Sequence, residues 1–117
     1  MSKSIAQVLD LKNDPQLIME YEEYHKKVWP EVLAGIKESG IERMEIFRSD
    51  NHLFMYCVVD DDFDPVNDFP RQSKVNKKAV EWNKLMKKYQ QKVPIAKEYE
   101  WWSLMSVAFD SNWFNES

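Results

Sequence analysis

Glycine is scarce in this chain: Gly35 and Gly40 are its only two in 117 positions. No loop can therefore wrap successive backbone amides around a phosphate, and P-loop and dinucleotide-binding folds are excluded. Cysteine is scarcer still. Cys57 is alone, so no internal disulfide can form, and the chain suits a reducing compartment. No long apolar run or signal-type segment precedes residue 20, which leads us to expect a soluble, cytoplasmic protein with no membrane partner. An excess of basic residues is also missing. Sixteen Lys and Arg against twenty Asp and Glu give a net charge of −4, so neither nucleic acid nor an anionic membrane surface is an expected partner. The length fits one domain, residues 1–117, with one hydrophobic core.

What the chain does have is aromatic side chains. Five Trp, five Tyr and six Phe exceed what packing a domain of this size requires, and a sugar pocket or an aromatic subunit interface would each use the surplus. The densest chemistry lies in Tyr21–Glu31 (Y-E-E-Y-H-K-K-V-W-P-E). Helical spacing puts Tyr21, His25, Val28, Trp29 and Val32 on one face, with Glu22, Lys26 and Lys27 mostly on the other. An imidazole on an apolar face has two readings: a hydrogen-bonded structural histidine, or an acid/base in a pocket that titrates near neutral pH. Pro30 should kink or restart the helix at Trp29-Pro30 and displace the Trp from simple helix packing.

Residues Ser4 to Leu11 alternate as a strand, with Ile5, Leu9 and Leu11 on one face and Ala6 and Val8 on the other. Asp14-Pro15 then starts a helix that runs to Glu38-Ser39 and stops at Gly40. Ile41 to Arg48 and Leu53 to Val59 are two strands joined by a polar turn at 49–52, an antiparallel hairpin. His52 in that turn reads as solvated, and Cys57 as a small buried hydrophobe. The acidic run Asp60 to Pro70 lacks EF-hand spacing and reads as a solvated connection, so no metal site is expected. Val75 to Gln91 is helical, with Val75, Ala79, Trp82, Met86 and Tyr89 in one stripe. Tyr99 to Phe109 alternates again with apolar residues on both faces, so it needs a second cover, which another subunit can provide.

The resulting order, β-α-β-β-α-β, is the ferredoxin-like α+β sandwich with both helices on one face of an antiparallel sheet. Two such sheets packed face to face would form a dimeric α/β barrel, a homodimer with a pocket between each sheet and its own helices.

With these elements placed, the sequence resembles the L-rhamnose mutarotase family over nearly its whole length. The matching residues are Tyr21, His25 and Val28-Trp29-Pro30-Glu31, then Gly40-Ile41, Met44, Ile46, Leu53-Phe54, Trp82, Leu85-Met86, Trp102 and Leu104-Met105. The resemblance implies a dimeric ferredoxin-like fold, no cofactor and no metal, and interconversion of the α and β anomers of a 6-deoxy sugar. It implies His25 as acid/base with Tyr21 beside it, and Trp82 and Trp29 as sugar-site aromatics. Asn83 stands where rhamnose-type members carry a second tryptophan, and Tyr56 where they carry a methionine, so both are expected at the substrate. The run from Trp82 to Pro94 looks more like a branch associated with L-fucose, and the sugar stays open between the two.

The chemistry fits the residues. Mutarotation takes a proton from the anomeric hydroxyl and gives one to the ring oxygen, for which one near-neutral acid/base suffices to begin. Aromatic faces suit the apolar side and 6-methyl group of a deoxy sugar. Trp29 is either a sugar contact or structural beside Pro30. Two rival functions share these features: a cofactor-free monooxygenase or isomerase on the same dimeric fold, and a sugar-binding module without turnover.

Overall fold

Alternation of side chains along a strand decides which face of the sheet becomes the core. In the computed structural model, which describes residues 2–114, β1 (Ser2–Leu11) turns Ile5, Gln7, Leu9 and Leu11 toward the helices, with Leu9 and Leu11 fully buried. Asp14 caps the next helix by accepting from the amides of Gln16 and Leu17, and Pro15 occupies its first turn. That helix, α1 (Pro15–His25), ends at His25. A new one, α2 (Pro30–Glu38), begins with Trp29 as its N-cap residue. The restart expected at Trp29-Pro30 is found, and the stretch is two helices separated by residues 26–29. The break starts four residues before the proline, so Val28 and Trp29 leave the helical face that spacing had assigned them. Pro30 has no amide to donate and is tolerated only at a helix start, which forces the restart where it falls.

Gly40, at φ +90°, turns the chain into β2 (Ile41–Ser49). A two-residue turn with Asp50 at φ 55° leads into β3 (His52–Asp60). His52 is thus the first residue of a strand rather than part of a free turn. Its Nδ1 lies 2.7 Å from Asp10 Oδ1 on β1, which raises its pKa. Cys57 is fully buried, and burial pushes its thiol up to about 12, as a small core hydrophobe requires. The acidic connection is not wholly a loop. Asp64 caps α3 (Pro65–Gln72), a short helix that covers the core edge at Phe63 and Phe69. Next comes α4 (Lys77–Met86), capped by Asn76, so Val75 and Tyr89 of the expected stripe flank the helix while Ala79, Trp82 and Met86 are its buried face.

The sheet order is β2-β3-β1-β4, with β4 (Gln90–Gln91) and β5 (Ser103–Leu104) both on the free edge of β1. This is the ferredoxin-like α+β arrangement with its last strand split in two. The long terminal strand expected from Tyr99 to Phe109 shrinks to β5. Its start is held in a turn by Glu100, whose carboxylate accepts from the amides of Lys97 and Leu104. Beyond Met105, whose amide still bonds Ala6, Val107 and Phe109 remain exposed. The face of the sheet away from the helices also carries apolar surface, with the rings of Phe47 and Phe54 tilted against each other at 6.2 Å and both exposed. No helix among the described residues is long and apolar enough to cross a membrane.

Candidate active site

The strand register assembles one row of side chains across the inner face: Ile46 of β2, Met55 of β3, Gln7 of β1 and Leu104 of β5. A cleft of about 1290 Å³ opens above this row. Its roof and walls come from Tyr21, Glu22 and His25 of α1, Val32 and Ile36 of α2, and Trp82, Asn83 and Met86 of α4. The segment after β4 closes one side with Trp101 and Trp102. The volume exceeds that of one monosaccharide, and the lining mixes apolar walls with a few polar groups, as ligand sites do.

His25 sits at the last turn of α1, and its Nδ1 lies 2.9 Å from the backbone carbonyl of Tyr21. A carbonyl only accepts, so Nδ1 carries the proton and Nε2 keeps its lone pair. The ring lies against Tyr21 at 4.2 Å and meets Trp82 edge-on at 5.3 Å. Burial among these rings lowers the imidazole pKa more than the Tyr21 carbonyl raises it. The group is therefore neutral at pH 7, with a basic nitrogen in place. Activity that depends on this base should fall as pH drops through the folded pKa, which lies below 6.5. The acid limb of kcat/KM should accordingly have its midpoint below pH 6.5. His52→Asn should leave that limb where it is, although His52 titrates above the ordinary value. A midpoint above 6.5, or one that moves with His52, would count against His25.

Tyr21 is only 3% exposed, and among the described residues its hydroxyl has no hydrogen-bond partner. Burial pushes its pKa up to about 12, and a weak approach of the Gln90 side chain lowers it by less. The Gln90 side chain is itself held by Trp101, whose Nε1 donates to its oxygen at 2.7 Å. An unpaired buried hydroxyl costs about 1–3 kcal/mol. It marks a place where something else supplies the partner.

The six residues singled out in the sequence divide. Tyr21, His25, Trp82 and Asn83 line the one cleft. The Asn83 amide is committed to the carbonyls of Ala79 and Ser73, so it fixes the α4 wall. Trp29 stands behind Trp82, edge-on at 5.1 Å, and does not reach the cleft lining. Of its two readings the geometry favours the structural one. Tyr56 is placed apart: it pairs with Ala6 and Glu45 on the outer face of the sheet, because position 56 alternates away from Met55 and the helices. Gln7, Gln90, the Glu22–Arg48 pair at 2.8 Å and Trp101 join the site unannounced. Only Gln7 had a signal in the sequence, as a polar residue inside the buried alternation of β1. Among the described residues no three of His, Cys, Asp and Glu are grouped to hold a metal ion.

A neutral imidazole and a buried tyrosine hydroxyl thus lie together in an aromatic-walled cleft on a ferredoxin-like sheet. The family model for L-rhamnose mutarotase matches residues 4–111. A UPF0734 protein of Dictyostelium discoideum is 47% identical over 117 residues, covering 97% of this chain and 94% of that protein. L-fucose mutarotase of Xanthomonas campestris is 37% identical over 100 residues, covering 84% of this chain and 79% of its own length. Among solved structures, L-rhamnose mutarotase from Formosa agariphila superposes with a TM-score of 0.65 at 22% identity, covering 92% of this chain and 97% of that one. Tetracenomycin F2 cyclase from Streptomyces glaucescens, a polyketide cyclase, does so at 0.57 and 20% identity, covering 92% and 95%. These two likenesses speak for the fold alone. The chain belongs to the L-rhamnose mutarotase family and is an aldose mutarotase.

Proposed function

We propose that the protein is a cofactor-independent, cytoplasmic mutarotase that interconverts the anomers of a 6-deoxy-hexose, with L-fucose as its preferred substrate. The observation that carries the reaction is the free Nε2 of a tautomer-locked His25 beside the unpartnered Tyr21 hydroxyl. The preference for L-fucose rests on the relative similar over 84% of the chain, whereas the L-rhamnose mutarotases of Acidiphilium cryptum and Oceanobacillus iheyensis match over 35% and 37% of it.

In this reading Nε2 takes the proton of the anomeric hydroxyl as the bond between C1 and the ring oxygen breaks. The imidazolium then gives that proton to the ring oxygen, so no net proton enters or leaves. The open aldehyde turns about C1–C2, and the steps reverse onto the other face of C1. Tyr21, protonated throughout because its pKa is about 12, donates a hydrogen bond to an oxygen at the reacting end. Trp82 covers the apolar face. The test is saturation-transfer NMR on free sugars at equilibrium. Exchange between anomeric proton signals, faster for L-fucose than for L-rhamnose, is expected. Line broadening without exchange would leave only binding, and faster exchange of L-rhamnose would reverse the preference.

Tyr21→Phe should separate function from stability. Removing a buried hydroxyl that has no partner should leave the melting temperature unchanged or slightly higher. Losing its bond to substrate, worth roughly 0.5–1.5 kcal/mol, should slow exchange up to about tenfold. A clear fall in melting temperature would show that the hydroxyl was bonded within the folded chain after all.

The same reading takes the protein as a homodimer. Phe47 and Phe54 on the outer sheet face, together with Met105, Val107 and Phe109, form apolar surface that a second copy would cover. Sedimentation at micromolar concentration should give a dimer, and a monomer would overturn this.

A further inference from the structure

The cleft floor contains one polar side chain that neither the chemistry at C1 nor the packing of the core explains. Gln7 is 5% exposed and sits in the row between Met55 and Leu104, with apolar neighbours on both sides. Among the described residues its hydrogen bond is from Nε2 to the Met55 sulfur at 3.5 Å, a weak acceptor. A primary amide has two donors and two acceptor lone pairs. Nearly all of that capacity is unspent in a position that faces the cleft.

Gln7 lines the same cleft as His25. The next row of the inner face carries Leu53 and Arg48, the latter bonded to Glu22 one turn before His25. Rows on one face of a strand are spaced about 7 Å apart. A sugar bound with C1 at His25 and its ring across the cleft would turn its far side, with the C3 and C4 hydroxyls, toward the floor at Gln7.

We propose that Gln7 is the specificity-determining residue of this enzyme, its amide accepting from one and donating to the other of the C3 and C4 hydroxyls of the sugar. The inference rests on the reading of the cleft as a 6-deoxy-hexose site. A carboxamide offers an acceptor and a donor side by side and matches two neighbouring hydroxyls on the same side of the ring. L-Fucose has that arrangement at C3 and C4. L-Rhamnose, which differs at C2 and C4, has it at C2 and C3 instead. An amide fixed in the floor therefore discriminates between them by geometry rather than by size.

The experiment compares wild type with Gln7→Leu, a replacement of similar volume that fits the apolar row, by anomer exchange on L-fucose, L-rhamnose and 4-deoxy-L-fucose. In wild type, removing the C4 hydroxyl should lower kcat/KM about tenfold or more, because the amide is then left unpaired. In Gln7→Leu the same removal should cost little, the ratio of L-fucose to L-rhamnose should fall toward one, and the loss on L-fucose should lie mainly in KM. A merely structural glutamine would lower the rates on all three sugars together. If Gln7→Leu keeps the wild-type selectivity and the full cost of the missing hydroxyl, the proposal fails while the mutarotase reading stands. If wild type exchanges none of these sugars, it is that reading which fails.

Discussion

His25→Ala is expected to lower the rate of anomer exchange by about a hundred- to ten-thousand-fold, the range for loss of a positioned acid/base. The variant should still fold. The imidazole is only half-buried and its one bond, Nδ1–H to the Tyr21 carbonyl, lies at the frayed end of α1. Near-ultraviolet dichroism and a cooperative melt check the fold, and NMR exchange checks the chemistry. Two results would sink the assignment. A folded variant that exchanges anomers at the wild-type rate would remove His25 from the reaction. A variant without a cooperative melt would make the histidine structural, the other of its two readings. Added imidazole should partly restore exchange in the folded variant, because the lost group is a base and the cleft retains its walls.

The parts of this fold that were legible in the sequence are those set by local chemistry. Asp14-Pro15, Gly40 and the turn at Asp50-Asn51 punctuate the chain where their backbone preferences require it, and the alternation in β1 put Ile5, Leu9 and Leu11 together on what is the inner face. The order of strands followed from these. What stayed hidden depended on contacts distant in sequence. The acidic run from Asp60 to Pro70 looked like solvent-exposed loop, yet Asp64 serves as a helix cap and Phe63 and Phe69 pack edge-on at 4.9 Å, which pulls the segment onto the core. The terminal strand was over-read because an alternation of apolar residues says how a strand would face without saying whether a neighbour exists to pair it. The edge of β1 runs on to Ser2, but the ladder with β5 covers only Gln7 and Val8, and the last main-chain bond joins the Met105 amide to Ala6.

The site divides in the same way. Tyr21 and His25 were found because residues four apart on a helix share a face, and both ended in the cleft even though the helix broke immediately after His25. That same break takes Trp29 off the helical face and sets it behind Trp82, in keeping with the structural one of its two readings. Tyr56 was placed by analogy of position, while the pleat puts it on the opposite face from Met55. Gln90 and Trp101 escaped notice because they meet only in space: the 2.7 Å bond between them joins β4 to the segment before β5.

The other large effect concerns Trp82, which belongs at once to the core and to the cleft. It is 6% exposed and holds an edge-on ring of neighbours, Trp29 at 5.1 Å, His25 at 5.3 Å and Tyr24 at 6.1 Å. Truncation of such a residue to alanine typically costs about 3–5 kcal/mol, a large share of the roughly 5–15 kcal/mol that holds a domain together. Trp82→Ala should therefore melt roughly 10–20 °C lower than wild type, and it should lose activity even at temperatures where it remains folded, because the wall that orients both sugar and imidazole is gone. Trp82→Phe discriminates between the two roles. A smaller ring should recover much of the melting temperature by refilling the core. If exchange recovers in proportion, Trp82 acts through packing alone. If stability returns while exchange stays low, the indole face itself positions the sugar against Nε2 of His25, which is the outcome expected from its place in the cleft lining. An alanine variant that melts with wild type would refute the placement of this tryptophan in the core.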